Sequence, residues 1–144
     1  MPKCKVDQAG SRAFRKQIKD YSKRYPRIGD DVAALIRDLE ADYQSLKLHP
    51  FRFQVKEHAP ELHGRIWKYD MSSSDMGKGP RRGFRVYGVF LEDVAVQVPT
   101  MRLFLIYYKG DTENVSAKEV AKLVEKLRED LASADAADPF VGAD

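Results

Sequence analysis

Apolar positions in residues 11–43 recur with a helical period. Phe14, Ile18, Tyr21 and Tyr25 follow one another at spacings of four, three and four, which puts them on one face. The spacing predicts a helix over 11–25, capped by Ser11, with Lys16, Lys19 and Lys23 on other, wetted faces. Pro26 and Gly29 break the pattern, and Asp30 or Asp31 is placed to cap a second helix running to about Tyr43. Its stripe is Val32, Leu35, Ile36, Leu39 and Tyr43. The short break predicts a helical hairpin with facing apolar stripes.

After Pro50 the period changes to two. Phe51, Phe53 and Val55 alternate with Arg52, Gln54 and Lys56, a strand with one wet face. Further strands are expected over His63–Asp70, Phe84–Leu91 and Met101–Lys109, with Val94, Val96 and Val98 extending one connection. The last strand is apolar on both faces, as a central strand under helices would be. Ser116 and Glu119 then form a capping box before Val120, Leu123, Val124, Leu127 and Leu131. From Ala132 to Asp144 the pattern stops, and no Lys or Arg remains. The expected fold is α+β: an N-terminal helical hairpin on an antiparallel sheet of about four to five strands, then a C-terminal helix. Residues 1–131 form the single domain in this reading, and residues 132–144 a disordered tail.

Composition narrows the function. The chain has 144 residues, 43% hydrophobic and 33% charged, enough for one core. No apolar run approaches the roughly 18 to 20 residues of a membrane span. Met1 to Val6 is charged rather than apolar, so no secretory signal and a cytoplasmic location are expected. A single cysteine, Cys4, excludes an internal disulfide and a cysteine-based zinc cage. His49, His58 and His63 have no ligand spacing, so neither a metal nor another cofactor is expected. Gly77-Lys78 is not a phosphate loop, because Ser72 stands where its first glycine belongs and Gly79 where Ser or Thr would hold magnesium. No G-x-S-x-G element occurs.

The net charge of +3 conceals segregation: +7 over residues 1–27, −3 over 28–61, +4 over 62–90 and −5 over 91–144. Two basic blocks in a nearly neutral chain point to a polyanion. Lys78, Arg81, Arg82 and Arg85 lie within eight residues, among glycines and a proline. Glycines allow close backbone approach to phosphates and leave long cationic side chains free to converge. Lys78, Arg81 and Arg82 are the expected RNA-backbone contacts.

The ordered series Trp67-Lys68-Tyr69, basic Gly-rich loop, Gly83-Phe84-Arg85-Val86-Tyr87, Leu105-Ile106-Tyr107-Tyr108-Lys109 and Ser116-Ala-Lys-Glu119 follows the helical hairpin. This series resembles the RelE/ParE superfamily of bacterial type II toxins, its RelE- and HigB-like members in particular, over about residues 11–128. The resemblance implies helices covering one face of an antiparallel sheet. It also implies metal-independent cleavage of mRNA on the ribosome, by attack of the RNA 2′-hydroxyl on the adjacent phosphate. Such chemistry needs a base, an acid and cations around the phosphorane. On that alignment Arg85 binds the scissile phosphate, Lys68 stabilises charge or donates a proton, and Lys109 is the basic residue ending the last central strand. His63, Tyr107 and Tyr108 are the candidates for the remaining proton transfer. Asp70 and Gly110 stand where the family carries basic residues, and the helix from Ser116 to Leu131 holds no tyrosine or histidine. The implied partners are mRNA on the ribosome and an acidic cognate antitoxin covering the Lys68–Arg85 groove or displacing the last helix. The competing expectation is a relative without nuclease activity, acting by protein contact as a gyrase-type inhibitor or binding nucleic acid without cutting it.

Overall fold

The computed structural model describes residues 4–43, 49–50, 65–77, 83–91, 98–111 and 115–137. Their order is β1 (Lys5–Asp7), α1 (Arg12–Tyr21), α2 (Ile28–Asp42), β2 (His49–Pro50), β3 (Ile66–Ser72), β4 (Gly83–Phe90), β5 (Thr100–Tyr108) and α3 (Ala117–Ala137). The α+β class is as expected. The strand expected over Phe51–Val55 and the extension at Val94 and Val96 lie outside the described residues.

The strands form one five-stranded sheet in the order β1-β5-β4-β3-β2. It is mixed rather than purely antiparallel: β1 runs parallel to β5, and every other pairing is antiparallel. Lys5-Val6-Asp7 holds one apolar residue in three, too short and polar to show alternation, so β1 is legible only from its partner.

Helices cover both faces, not one. Phe14 of α1 and Ile28, Val32, Leu35 and Leu39 of α2 pack with Met71, Phe84, Val86, Phe90, Met101, Leu103 and Ile106. Ala117, Val120, Val124 and Leu127 of α3 pack on the other face with Ile66, Tyr87, Val89, Phe104, Leu105 and Tyr107. The physical reason is on β4 and β5, which are apolar on both sides; one helical layer would leave Tyr87, Val89 and Phe104 wet. The β4–β5 register slips between Tyr87 and Gly88, which face Leu105 and Leu103, so Phe104 is extra and joins Leu105 under α3.

Local signals set the helix ends unevenly. Ser11 caps α1 as expected, its hydroxyl accepting from the Phe14 N–H at 3.2 Å. The serine half of the capping box also forms, with Ser116 Oγ accepting from the Glu119 N–H at 3.2 Å. By contrast α2 starts at Ile28, before either aspartate, and Arg27 supplies no side-chain cap. Asp75, from the connection after β3, accepts the Arg27 N–H at 2.9 Å. Asp31 accepts the Ser74 N–H at 2.9 Å and also its hydroxyl. At the other end α3 continues to Ala137, past the end of its apolar stripe, through a stretch rich in alanine, the residue of highest helix propensity.

Beyond Arg102, where β1 ends, α1 serves the edge of β5. The Ile106 N–H donates to Gln17 Oε1 at 3.0 Å and the Tyr108 N–H to the Tyr21 hydroxyl at 3.0 Å. Residues four apart on one helix thus stand in for a missing strand.

Cys4 is buried, its Sγ donating to the Leu39 carbonyl at 3.5 Å. Burial first, then the Glu40 carboxylate, pushes its thiol up from 9.0 to about 11. The thiol is therefore no nucleophile at neutral pH. Its raised value means the stability it contributes is complete below pH 9 and declines as pH rises toward 11. Iodoacetamide at pH 8 is expected to leave Cys4 unmodified in the native protein and to label it in denaturant. Rapid native labelling read by mass spectrometry would contradict the burial.

Candidate nucleic-acid interface

Strand alternation and register decide which candidates share a face. On β3, Ile66, Lys68, Asp70 and Ser72 point to the α3 side, while Trp67, Tyr69 and Met71 point to the α1–α2 side. On β4, Arg85, Tyr87 and Val89 point to the α3 side. Lys68 lies opposite Tyr87, and Asp70 opposite Arg85. Lys68 and Arg85, seventeen positions apart in the chain, are therefore diagonal neighbours on one face, about 7 Å apart at the backbone. Arg85 in turn faces Tyr107 on β5. The Lys109 N–H donates to the Gly83 carbonyl at 3.1 Å, continuing the ladder and bringing Lys109 by alternation to the same side.

The face is graded from dry to wet. Tyr87 and Tyr107 are buried beside α3, Arg85 and Lys68 are half-buried, and Asp70 and Ser72 are exposed. Arg85 Nε donates to Asp70 Oδ1 at 2.9 Å. Burial alone would weaken the guanidinium's hold on its proton, but the hydrogen bond and charge of Asp70, with help from Tyr107, outweigh it and raise its pKa. Arg85 stays cationic at any working pH. Burial, reinforced by Tyr107, pushes the Tyr87 phenol above its ordinary range, although Arg85 pulls the other way. The Tyr87 and Tyr107 rings lie 6.1 Å apart. Tyr87 is consequently neutral at working pH and packs beside Tyr107 rather than giving up a proton.

Tyr108 does not join this face. Its ring packs on the α1–α2 side, 6.1 Å from both Tyr25 and Phe84, which itself meets Tyr21 at 5.0 Å. Its alternation with Tyr107 places it across the sheet from Arg85. Of the proton-transfer candidates named from the sequence, Tyr108 is thus on the face away from Arg85 and Tyr107 on the same face. His63, Lys78, Arg81 and Arg82 lie outside the described residues.

Sequence reasoning missed the part played by Tyr87, although its two-residue spacing from Arg85 was the available signal. Gly83, Phe84 and Arg85 have separate tasks. A Cβ on Gly83 would lie 2.3 Å from the Met71 carbonyl oxygen, so close pairing of β3 and β4 needs a glycine there. Phe84 fills the aromatic cluster on one face while Arg85 is delivered to the other.

What this arrangement can do is hold an anion. A guanidinium with an ammonium diagonal to it, half-buried against apolar walls, suits a phosphodiester. Asp70 is the carboxylate paired with Arg85 on this face. Among the described residues no group of three or more His, Cys, Asp or Glu is placed to hold a metal ion, and no helix is long and apolar enough to cross a membrane. No family model, curated protein or solved structure matches the chain.

Proposed function

We propose that the chain is a RelE/ParE-like toxin of a type II toxin–antitoxin pair, an endoribonuclease that cuts mRNA on the ribosome without a metal. The observation carrying this reading is the placement of Lys68 and Arg85 as diagonal neighbours on one face of the sheet, both partly exposed. Arg85 would hold the non-bridging oxygens of the scissile phosphate, where charge grows as the phosphorane forms. Asp70 would take the 2′-hydroxyl proton as the 2′-oxygen attacks phosphorus. The P–O5′ bond breaks, Lys68 protonates the leaving 5′-oxygen, and a 2′,3′-cyclic phosphate remains. Lys109 adds positive charge one ladder step away. The cognate antitoxin, acidic where it meets this face, would hold the activity in check.

A second reading is favoured by the Asp70–Arg85 ion pair: a relative that binds nucleic acid or a protein such as gyrase and cuts nothing. One experiment separates the two. Purified protein added to translating ribosomes is expected to produce discrete mRNA ends, mapped by primer extension. Growth arrest on induction with intact mRNA and inhibited gyrase would establish the second reading instead.

A further inference from the structure

We propose that the outer face of α1 is a second polyanion surface, built for the phosphate backbone of double-stranded RNA and separate from the Lys68–Arg85 face. The choice of RNA over DNA rests on the functional reading above; the surface itself does not.

Helical hydrogen bonding continues past α1, with the Lys23 N–H reaching the Asp20 carbonyl and the Tyr25 N–H the Tyr21 carbonyl at 2.8 Å. Phe14, Ile18, Tyr21 and Tyr25 therefore stay in one stripe, and that stripe is turned into the core. At 100° per residue, Arg12, Arg15, Lys16, Lys19 and Lys23 fall within an arc of about 100° on the opposite side. Arg12 reaches Asp130 at 3.7 Å. Arg15, Lys16, Lys19 and Lys23 are exposed, and among the described residues no carboxylate lies within ion-pair distance of them. The one acid of α1, Asp20, lies about 40° outside the arc, four residues from Lys16 and three from Lys23, and forms no ion pair with either.

Such a rail is a cost to the helix by itself. Arg15–Lys19 and Lys19–Lys23 are like-charge pairs four apart, which repel along a helix. A polyanion removes that repulsion. Of the available polyanions, a duplex backbone fits best. All aromatic side chains of this segment face the core, so no platform is left for stacking the bases of a single strand. Cations spaced along about 16 Å of helix, on one rigid backbone, suit a rigid line of phosphates. A lipid surface fits poorly, since the apolar stripe it would need is occupied by the sheet. The rail and the Lys68–Arg85 face lie on opposite sides of the sheet, so one molecule could grip structured RNA while its other face meets a single strand.

The test compares two variants with equal charge loss: Lys16→Gln/Lys19→Gln/Lys23→Gln on α1, and Lys118→Gln/Lys122→Gln/Lys126→Gln on α3. Binding of a 20-base-pair RNA duplex is measured by fluorescence anisotropy between 50 and 300 mM salt, with a DNA duplex and phosphatidylserine vesicles as parallel probes. The α1 variant is expected to bind the RNA duplex at least about tenfold more weakly at 0.1 M salt, with a log–log salt slope shallower by about two to three. The α3 variant is expected to stay within about twofold of wild type. Equal losses in both variants, or tighter wild-type binding to DNA or vesicles than to RNA, would overturn the proposal. Single Lys→Gln changes on α1 should give graded losses, which a folding defect would not. Failure of mRNA cleavage with duplex binding still lost only in the α1 variant would sink the nuclease reading and leave this surface standing.

Discussion

Arg85→Ala is expected to slow RNA cleavage about 10²- to 10³-fold, the usual loss when one donor to a developing oxyanion is removed. Its thermal midpoint should move by only a few degrees, because a partly exposed ion pair is worth about 0–1 kcal/mol. Arg85→Lys should recover little of the rate: a lysine keeps the charge but cannot form two parallel hydrogen bonds to a phosphate. The partner residue makes the test sharper. Asp70 competes with an incoming phosphate for Arg85, since its carboxylate already accepts from Nε at 2.9 Å. Asp70→Asn should therefore bind a non-cleavable 2′-deoxy substrate about two- to fivefold more tightly. The same change removes the proton acceptor and should lower the cleavage rate, so affinity and rate move in opposite directions. Anisotropy, single-turnover cleavage and a thermal melt on the three variants decide the matter. If Arg85→Ala and Asp70→Asn lose the same stability and neither changes RNA affinity, the pair is a structural tie and the phosphate role is wrong.

Gly83→Ala is expected to damage the fold more than any charge change on this face. The new methyl would sit 2.3 Å from the Met71 carbonyl oxygen, and main chain cannot swing aside as a side chain would. The end of β4 would have to part from β3 next to the Asp70–Arg85 pair. Overpacking of a buried site costs about 1–3 kcal/mol, and a backbone neighbour puts Gly83 at the upper end. For a domain of this size that lowers the midpoint by about 6–12 °C. Gly29→Ala is the control, because nothing lies within 4 Å of a Cβ there and Gly29 is helical; it should be neutral or slightly stabilising. A Gly83→Ala protein melting like wild type would show that β3 and β4 are less closely paired than described.

The helices, three strands and the α+β class were legible in the chain because each rests on a period carried by local sequence. Phe14 to Tyr25, Phe84 to Phe90 and Val120 to Leu131 declare their buried faces through spacing alone. Ser11 and Ser116 declare their helix starts, since a cap needs only a hydroxyl and an N–H three residues on. The cations of the candidate face were also visible as residue types. Their meeting was not. Whether Lys68 and Arg85 share a face depends on strand register, and a slip of one residue would have put them on opposite sides. Register likewise decided that Tyr107 stands beside Arg85 and Tyr108 behind the sheet, though the two are neighbours in sequence. Tertiary contact also overrode a local signal at α2, where Asp75 holds the start of the helix and frees Asp31 to bind Ser74. Pairing across strands settled the rest: β1, with one apolar residue, exists only because β5 offers it an edge, and α3 crosses to the second face because β4 and β5 are apolar on both.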